Sequence, residues 1–303
     1  MSLRVCVFFV MASAIVANLS GCGSDTTQSA DNMNDAALSI VVSIVPQAYF
    51  VEQIAGPLAR TTVLAPRDHA AETHQVTPRQ MDVLSNADIY FRIGMPFEEP
   101  LVGRLAAACP NLTIVDTRDG VPMLEGICTH DHHDHGHHHH HHDEDPHIWL
   151  DPMRVKIQAA TMASALGAAA PEHADTFATN AAAFAAELDA LHQRLQTILA
   201  PAQGNVIYVY HPAFGYLAEA YGFEQRSIEN EGKSPGSRRL YALIDEIKQE
   251  NVRAIFDQPQ FADGSVGVIA DQASVDVVIL NALMEDYIAG METVAQAIAS
   301  SFE

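Results

Sequence analysis

"NVIYVYHPAFGYLAEAYGFEQRSI", residues 205–228, contains the unit from which most of this chain is built. Asn205 to Tyr210 is a β-branched and aromatic run, too short for a helix and apolar enough for a buried strand. A helical stretch follows from Ala213, and "GFEQRSI" (222–228) is a second strand. Strand, helix and strand in this order predict a parallel crossover. His211 stands where the first strand ends, so its side chain is expected at the carboxyl edge of a sheet, where ligands of such sheets bind.

The same alternation runs outward in both directions. Downstream come a helix in "SPGSRRLYALIDEIKQE", a strand "RAIFD", a helix from Asp263, a strand "VDVVIL" and a last helix reaching Phe302. Upstream, "LSIVVSIV" (38–45), "TTVLA", "ADIYFRIG" and "LTIVD" read as strands separated by helical stretches. One of these helices starts at Thr77-Pro78-Arg79-Gln80, with a capping threonine, a proline in the first turn and a glutamine three residues after the cap. Between the two series, residues 151–200 show no strand pattern and divide into two helices at Pro171. The second, Glu172 to Leu199, would span about 40 Å. The expected architecture is α/β: two lobes, each a parallel sheet flanked by helices, joined by a long rigid helix with a cleft between them. The expected boundaries are 38–170 for the first lobe, 171–200 for the linking helix and 201–303 for the second lobe. A rigid link of that kind predicts limited lobe motion rather than wide hinge closure.

Residues 1–21 have the layout of a secretory signal: Arg4, an apolar stretch from Val5 to Val16, then small residues. "LSGC" (19–22) resembles a bacterial lipobox, which implies cleavage before Cys22 and a lipid on its thiol. An ordinary secretory signal with an incidental cysteine is the competing reading. Residues 22–37 are polar and read as a flexible tether, holding the protein just outside a membrane. Cys109 and Cys128 then remain in a compartment that permits disulfides; a bridge and two free thiols both stay open. The 38 acidic against 16 basic residues, a net charge of −22, disfavour nucleic-acid binding and attract cations. No Gly-x-Gly-x-x-Gly or phosphate-cradling loop is present.

Eleven of the 16 histidines fall in "THDHHDHGHHHHHHDEDPHIWLDP" (129–152). The loop 129–145 carries His130, His132, His133, His135, His137, His138, His139, His140, His141 and His142 among Asp131, Asp134, Asp143, Glu144 and Asp145. It reads as a low-complexity segment, disordered without metal, that offers many weak cation sites; a plain spacer is the alternative. The run lies mid-chain and continues into the apolar "DPHIWLDP", which argues against an appended tag. Of the remaining histidines, His69, His173 and His192 read as surface residues. His74, His147 and His211 each sit where the cleft is expected, and three imidazoles there suit a borderline-soft divalent ion, zinc first.

Taken together, "ETHQVTPRQMDVLSNADIYFRIGMPFE", "DPHIWLDP", "YHPAFGYLAEAYGF" and "KSPGSRRLYALIDEIK" resemble the successive motifs of metal-binding ABC-transporter solute-binding lipoproteins of the zinc-uptake type. The resemblance covers the chain from about Leu38 to the end. It implies an extracytoplasmic, membrane-tethered monomer that carries Zn2+ to a cognate ABC permease, with ligands at His74, His147 and His211. Manganese-type relatives tend to carry a carboxylate at the His211 position. Relatives often have a late aspartate where this chain reads "VILNALMEDY", so Asn281 stands in its place. The fourth ligand is left to water, Glu72, Asn281 or Asp286, the last of which also suits a helix cap. A zinc-dependent hydrolase, a metal-storage or adhesin lipoprotein, and a manganese- or iron-type receptor are the alternatives. No His-Glu-x-x-His is present to favour the enzyme.

Overall fold

The structure is a computed structural model that describes residues 37–124, 144–230, 232–261 and 264–303. The expected signal at 1–21, the candidate lipidation site Cys22, Cys128 and all ten loop histidines lie outside the described residues.

The first sheet comprises β1 (Leu38–Val42), β2 (Ala59–Val63), β3 (Ile89–Arg92) and β4 (Thr113–Asp116), and the second β5 (Val206–Val209), β6 (Glu224–Ser227), β7 (Ala254–Asp257) and β8 (Asp276–Ile279). Every pairing is parallel, in the orders β2-β1-β3-β4 and β6-β5-β7-β8. Both sheets therefore reverse direction beside their first strand, opening a crevice at the carboxyl ends of β1 and β3 in one lobe and of β5 and β7 in the other. The strand readings made from apolar runs agree with this arrangement, because central parallel strands are covered on both faces. Ile40, Val41 and Val42 are fully buried in β1, as are Tyr208 and Val209 in β5.

The helices of the first lobe are α1 (Val45–Ala55), α2 (Pro78–Ser85) and α3 (Glu98–Ala108). Thr77 caps α2 as its sequence requires: its side chain accepts from Gln80 N, and the Gln80 side chain returns to Thr77 N at 2.9 Å. Cys109 is buried at the end of α3 and makes no disulfide among the described residues. The central pair is α4 (Pro152–Ala169) and α5 (Ala174–Ile198). α5 runs for 25 residues, long enough to reach from one lobe to the other. It buries Phe177, Phe184, Leu188, Leu191 and Leu195, a stripe at helical spacing that keeps one face inward along the whole length. The second lobe adds α6 (Gly215–Tyr221), α7 (Ser237–Gln249) and α8 (Ser265–Ala273), and the chain ends with α9 (Tyr287–Ser300).

α9 does not stay with the sheet it follows. It packs on α5, and its Tyr287 ring meets Phe50 of α1 edge-on at 5.0 Å, beside Phe184 of α5 at 5.9 Å from Phe50. The chain thus returns from β8 to the first lobe. Trp149 fastens this return: its Nε1 donates to Ala282 O at 2.8 Å, and Tyr287 Oη donates to Trp149 O at 2.7 Å. Among the described residues no helix is long and apolar enough to cross a membrane.

Tyr287→Phe removes the buried donor to Trp149 O while keeping the ring. It is expected to lower the unfolding free energy by about 1–3 kcal/mol, the cost of a buried carbonyl left unpaired. Urea unfolding with an unchanged slope would check this; an unchanged midpoint would show that the clamp contributes nothing.

Candidate metal centre

Three ligand-bearing side chains meet in the cleft, each delivered by a different piece of backbone. Glu72 lies in a short turn of 3-10 helix, Ala71–Thr73, beyond the carboxyl end of β2. His147 precedes the turn Ile148–Leu150, whose three side chains are buried and hold it in place. His211 follows β5 at the crevice beside β7. Their coordinating atoms all lie within 4.8 Å of one another. Glu72 Oε1 is 3.1 Å from His147 Nε2 and 3.3 Å from His211 Nε2, and the two Nε2 atoms are 3.3 Å apart.

Each imidazole is aimed by a carboxylate behind it. His147 Nδ1 is 2.6 Å from Asp145 Oδ1, which also accepts from His147 N at 2.9 Å. His211 Nδ1 is 2.6 Å from Glu229 Oε1. Such partners fix the ring and turn its Nε2 toward an ion. Asp145 is itself held. Its carbonyl accepts from Tyr216 Oη at 2.7 Å, Tyr216 Oη accepts from Leu124 N at 3.0 Å, and Asp145 N donates to Leu124 O at 3.0 Å. These bonds pin together the two residues on either side of the histidine-rich stretch. Behind His211, Gln258 exchanges hydrogen bonds with its backbone at 2.9 and 2.8 Å, and Phe261 stacks on its ring at 4.7 Å.

The cavity beside Glu72, His147, Trp149 and His211 has a volume of about 20 Å³. That is room for one water-sized sphere or a bare ion.

Electrostatics follow from this crowding. Burial alone would raise the Glu72 carboxyl, but hydrogen bonds and charge from His147 and His211 outweigh it and hold the group well below the usual carboxylate range. Burial alone would depress His147; the charge and hydrogen bond of Asp145, then Glu72, overcome it and lift the imidazole to about 10. His211 is raised in the same way, burial being outweighed by Glu229 and Glu72. Near neutral pH, a proton on His147 therefore faces the Glu72 carboxylate, and a cation competes for the same nitrogen atom.

His74 is placed differently. Its ring lies edge-on to Phe97 at 5.0 Å, outside the group of three, and its Nε2 is buried with no hydrogen-bond partner among the described residues. Burial lowers its pKa, so the imidazole stays neutral and free to coordinate. Of the candidate fourth ligands, Glu72 is in the cluster. Asp286 caps α9, accepting from Ala289 N at 3.0 Å, and Asn281 Oδ1 accepts from Leu283 N at 3.0 Å; neither belongs to the cluster. Glu229, Gln258 and Phe261 were not singled out from sequence. Glu229 carried a signal, being an acidic residue one step beyond the buried Ile228 at the carboxyl end of β6.

Fold and cluster together define a two-lobed α/β binding protein with a cation-sized site between its parallel sheets. The chain belongs to the family "Zinc-uptake complex component A periplasmic", whose model matches residues 40–301. A solved structure described as the crystal structure of ZnuA superposes with a TM-score of 0.81 at 37% identity, covering 88% of this chain and 100% of that one. The high-affinity zinc uptake system protein ZnuA of Paracoccus denitrificans is 32% identical over 72% of this chain and 75% of its own length. The manganese-binding lipoprotein MntA of Halalkalibacterium halodurans is 26% identical over 90% of this chain and 87% of its own.

Asp145→Asn and Glu229→Gln are each expected to weaken zinc binding about 10- to 100-fold, the usual effect of losing a carboxylate behind a ligating imidazole. Calorimetric titration checks this, and affinities equal to the parent's would remove both residues from the site. The raised His147 imidazole stabilises the metal-free fold fully below about 6.5, its ordinary value, and that contribution is lost as pH rises through about 10. The depressed Glu72 contributes above its ordinary value of 4.5 and ceases to do so as pH falls through its lower folded value. The cluster's contribution to metal-free stability is therefore expected to be greatest between these ordinary values and to decline toward alkaline pH. In buffers of different ionisation enthalpy at pH 7, zinc binding should release at least one proton per ion.

Proposed function

We propose that this protein is the extracytoplasmic receptor of a zinc-importing ABC system, taking one Zn2+ into the cleft and handing it to a membrane permease. The observation that carries this reading is the meeting of Glu72, His147 and His211 around a cavity with room for one ion. His74 completes the set. It lies two residues from Glu72 on the same loop, and its neutral imidazole has an unpartnered nitrogen. Three imidazoles and one carboxylate make a four-coordinate site suited to zinc, and softer nitrogen donors favour zinc over manganese.

The remaining assignments belong to the same reading. Cys22 carries the lipid that tethers the mature protein outside the membrane, residues 22–37 give it reach, and it works as a monomer. The ten loop histidines collect zinc at the mouth of the cleft. Leu124 and Asp145, described residues on either side of this stretch, are bonded to each other, and Asp145 aims His147. Binding rather than catalysis is the task. A hydrating or hydrolytic zinc site keeps one position open for water and needs a base beside it. Here Glu72, the carboxylate in the cluster, is engaged by both imidazoles.

Trp149 is the protein's one tryptophan, and its ring lies 5.1 Å from that of His147, so its fluorescence reports on the cleft. Deleting residues 130–142 is expected to leave one tight zinc site that quenches or shifts Trp149 emission. His147→Ala in the same background should abolish that site. Loss of tight binding on loop deletion alone would place the principal site in the histidine run. Equal affinity for manganese in competition would overturn the metal assignment.

A further inference from the structure

The turn that follows β7, Asp257-Gln258-Pro259-Gln260-Phe261, does more than support His211. Gln258 and Phe261 hold that histidine, whereas Gln260 points the other way, across the cleft. Its Nε2 donates to Arg67 O at 2.9 Å and to Asn281 Oδ1 at 3.0 Å. Arg67 belongs to the loop between β2 and the turn that bears Glu72. Asn281 adjoins Ala282, whose carbonyl is fastened to Trp149 beside His147.

One amide therefore joins the backbone carrying Glu72, the turn supporting His211, and the segment anchored next to His147. Arg67 reinforces the contact from outside through Nη1 to Glu285 Oε1 at 2.7 Å. Gln260 also lines the ion-sized cavity while remaining partly exposed, so it forms part of the wall between cluster and solvent.

We propose that Gln260 is a positioning residue that acts as an interlobe clasp: its amide bonds to Arg67 O and Asn281 Oδ1 must break for the metal to enter or leave the cleft. This rests on the zinc-receptor reading above. The clasp suits a carrier physically. Buried carboxylate–imidazole contacts give affinity, and a partly exposed neutral hydrogen bond is weak enough to open on a useful timescale. The same reasoning gives Asn281 a task. An acceptor without a full charge can receive the Gln260 amide and Leu283 N together without drawing the cation to itself.

The test is stopped-flow exchange on the full mature chain, with zinc as the probe and Trp149 emission as the signal. Association is followed by mixing with zinc, and dissociation by mixing the loaded protein with excess chelator. Gln260→Met keeps the length and removes the amide; Asn281→Ala keeps Gln260 and removes one anchor. A clasp that bars both directions predicts that association and dissociation both accelerate, about three- to tenfold, for Gln260→Met. It also predicts that the double variant is no faster than Gln260→Met alone. Faster dissociation with unaltered association would mean that the site has merely been loosened, and would overturn the proposal. Rates equal to the parent's would overturn it as well. If the parent itself shows no zinc-dependent Trp149 signal, it is the receptor reading that fails and not the clasp alone.

Discussion

The structure turns on one oxygen atom. Glu72 Oε1 stands within 3.3 Å of the Nε2 atoms of both His147 and His211, and these three residues come from the first lobe, the stretch after the histidine run, and the second lobe. Two imidazoles this close repel when both are protonated, and the carboxylate beside them, like a metal ion in its place, offsets that charge. Everything around the cluster serves that meeting. Asp145 and Glu229 aim the rings, Trp149 and Tyr287 tie the returning chain beneath them, and α5 spans the lobes alongside.

The energetic character of the site follows from its burial. His147 is 5% exposed and sits on an acidic partner, so it is strongly basic for an imidazole. With its pKa lifted to about 10, the His147 imidazole keeps its proton near neutral pH until a cation displaces it. Metal and proton are thus rivals for the same lone pairs, which couples loading to pH without any separate sensor. The cavity has room for a single ion, and two of the three clustered side chains that line it offer nitrogen donors.

The return of α9 to the first lobe changes how the lobes relate. A single linking helix would leave the second sheet attached at one point. In the structure α5 and the 281–287 segment both cross, the latter pinned through Trp149, and Gln260 bridges the cleft mouth. The contacts around Trp149 are buried, whereas the Arg67–Glu285 pair at the rim is exposed to solvent.

How much of this could be read from the amino acids divides along a physical line. Buried parallel strands need continuous apolar runs, and Thr77-Pro78-Arg79-Gln80 can satisfy a helix start within four residues, so strand order along the chain and helix starts are written locally. His147 and His211 were legible because each directly follows or precedes an element whose end must face the crevice. Beyond that, local pattern is silent. Glu72 and His74 lie two residues apart on one loop, yet it is Glu72 that meets His147 and His211, while the His74 ring lies edge-on to Phe97. Asn281, read as a place where a ligand had been lost, accepts hydrogen bonds from Gln260 and Leu283. Gln260 itself carried no mark at all. Sequence determined the elements, since each is satisfied by its neighbours along the chain. Tertiary structure alone decided how the cluster meets and what bridges the cleft, since these depend on distances of about 3 Å between residues separated by 21 to 193 positions.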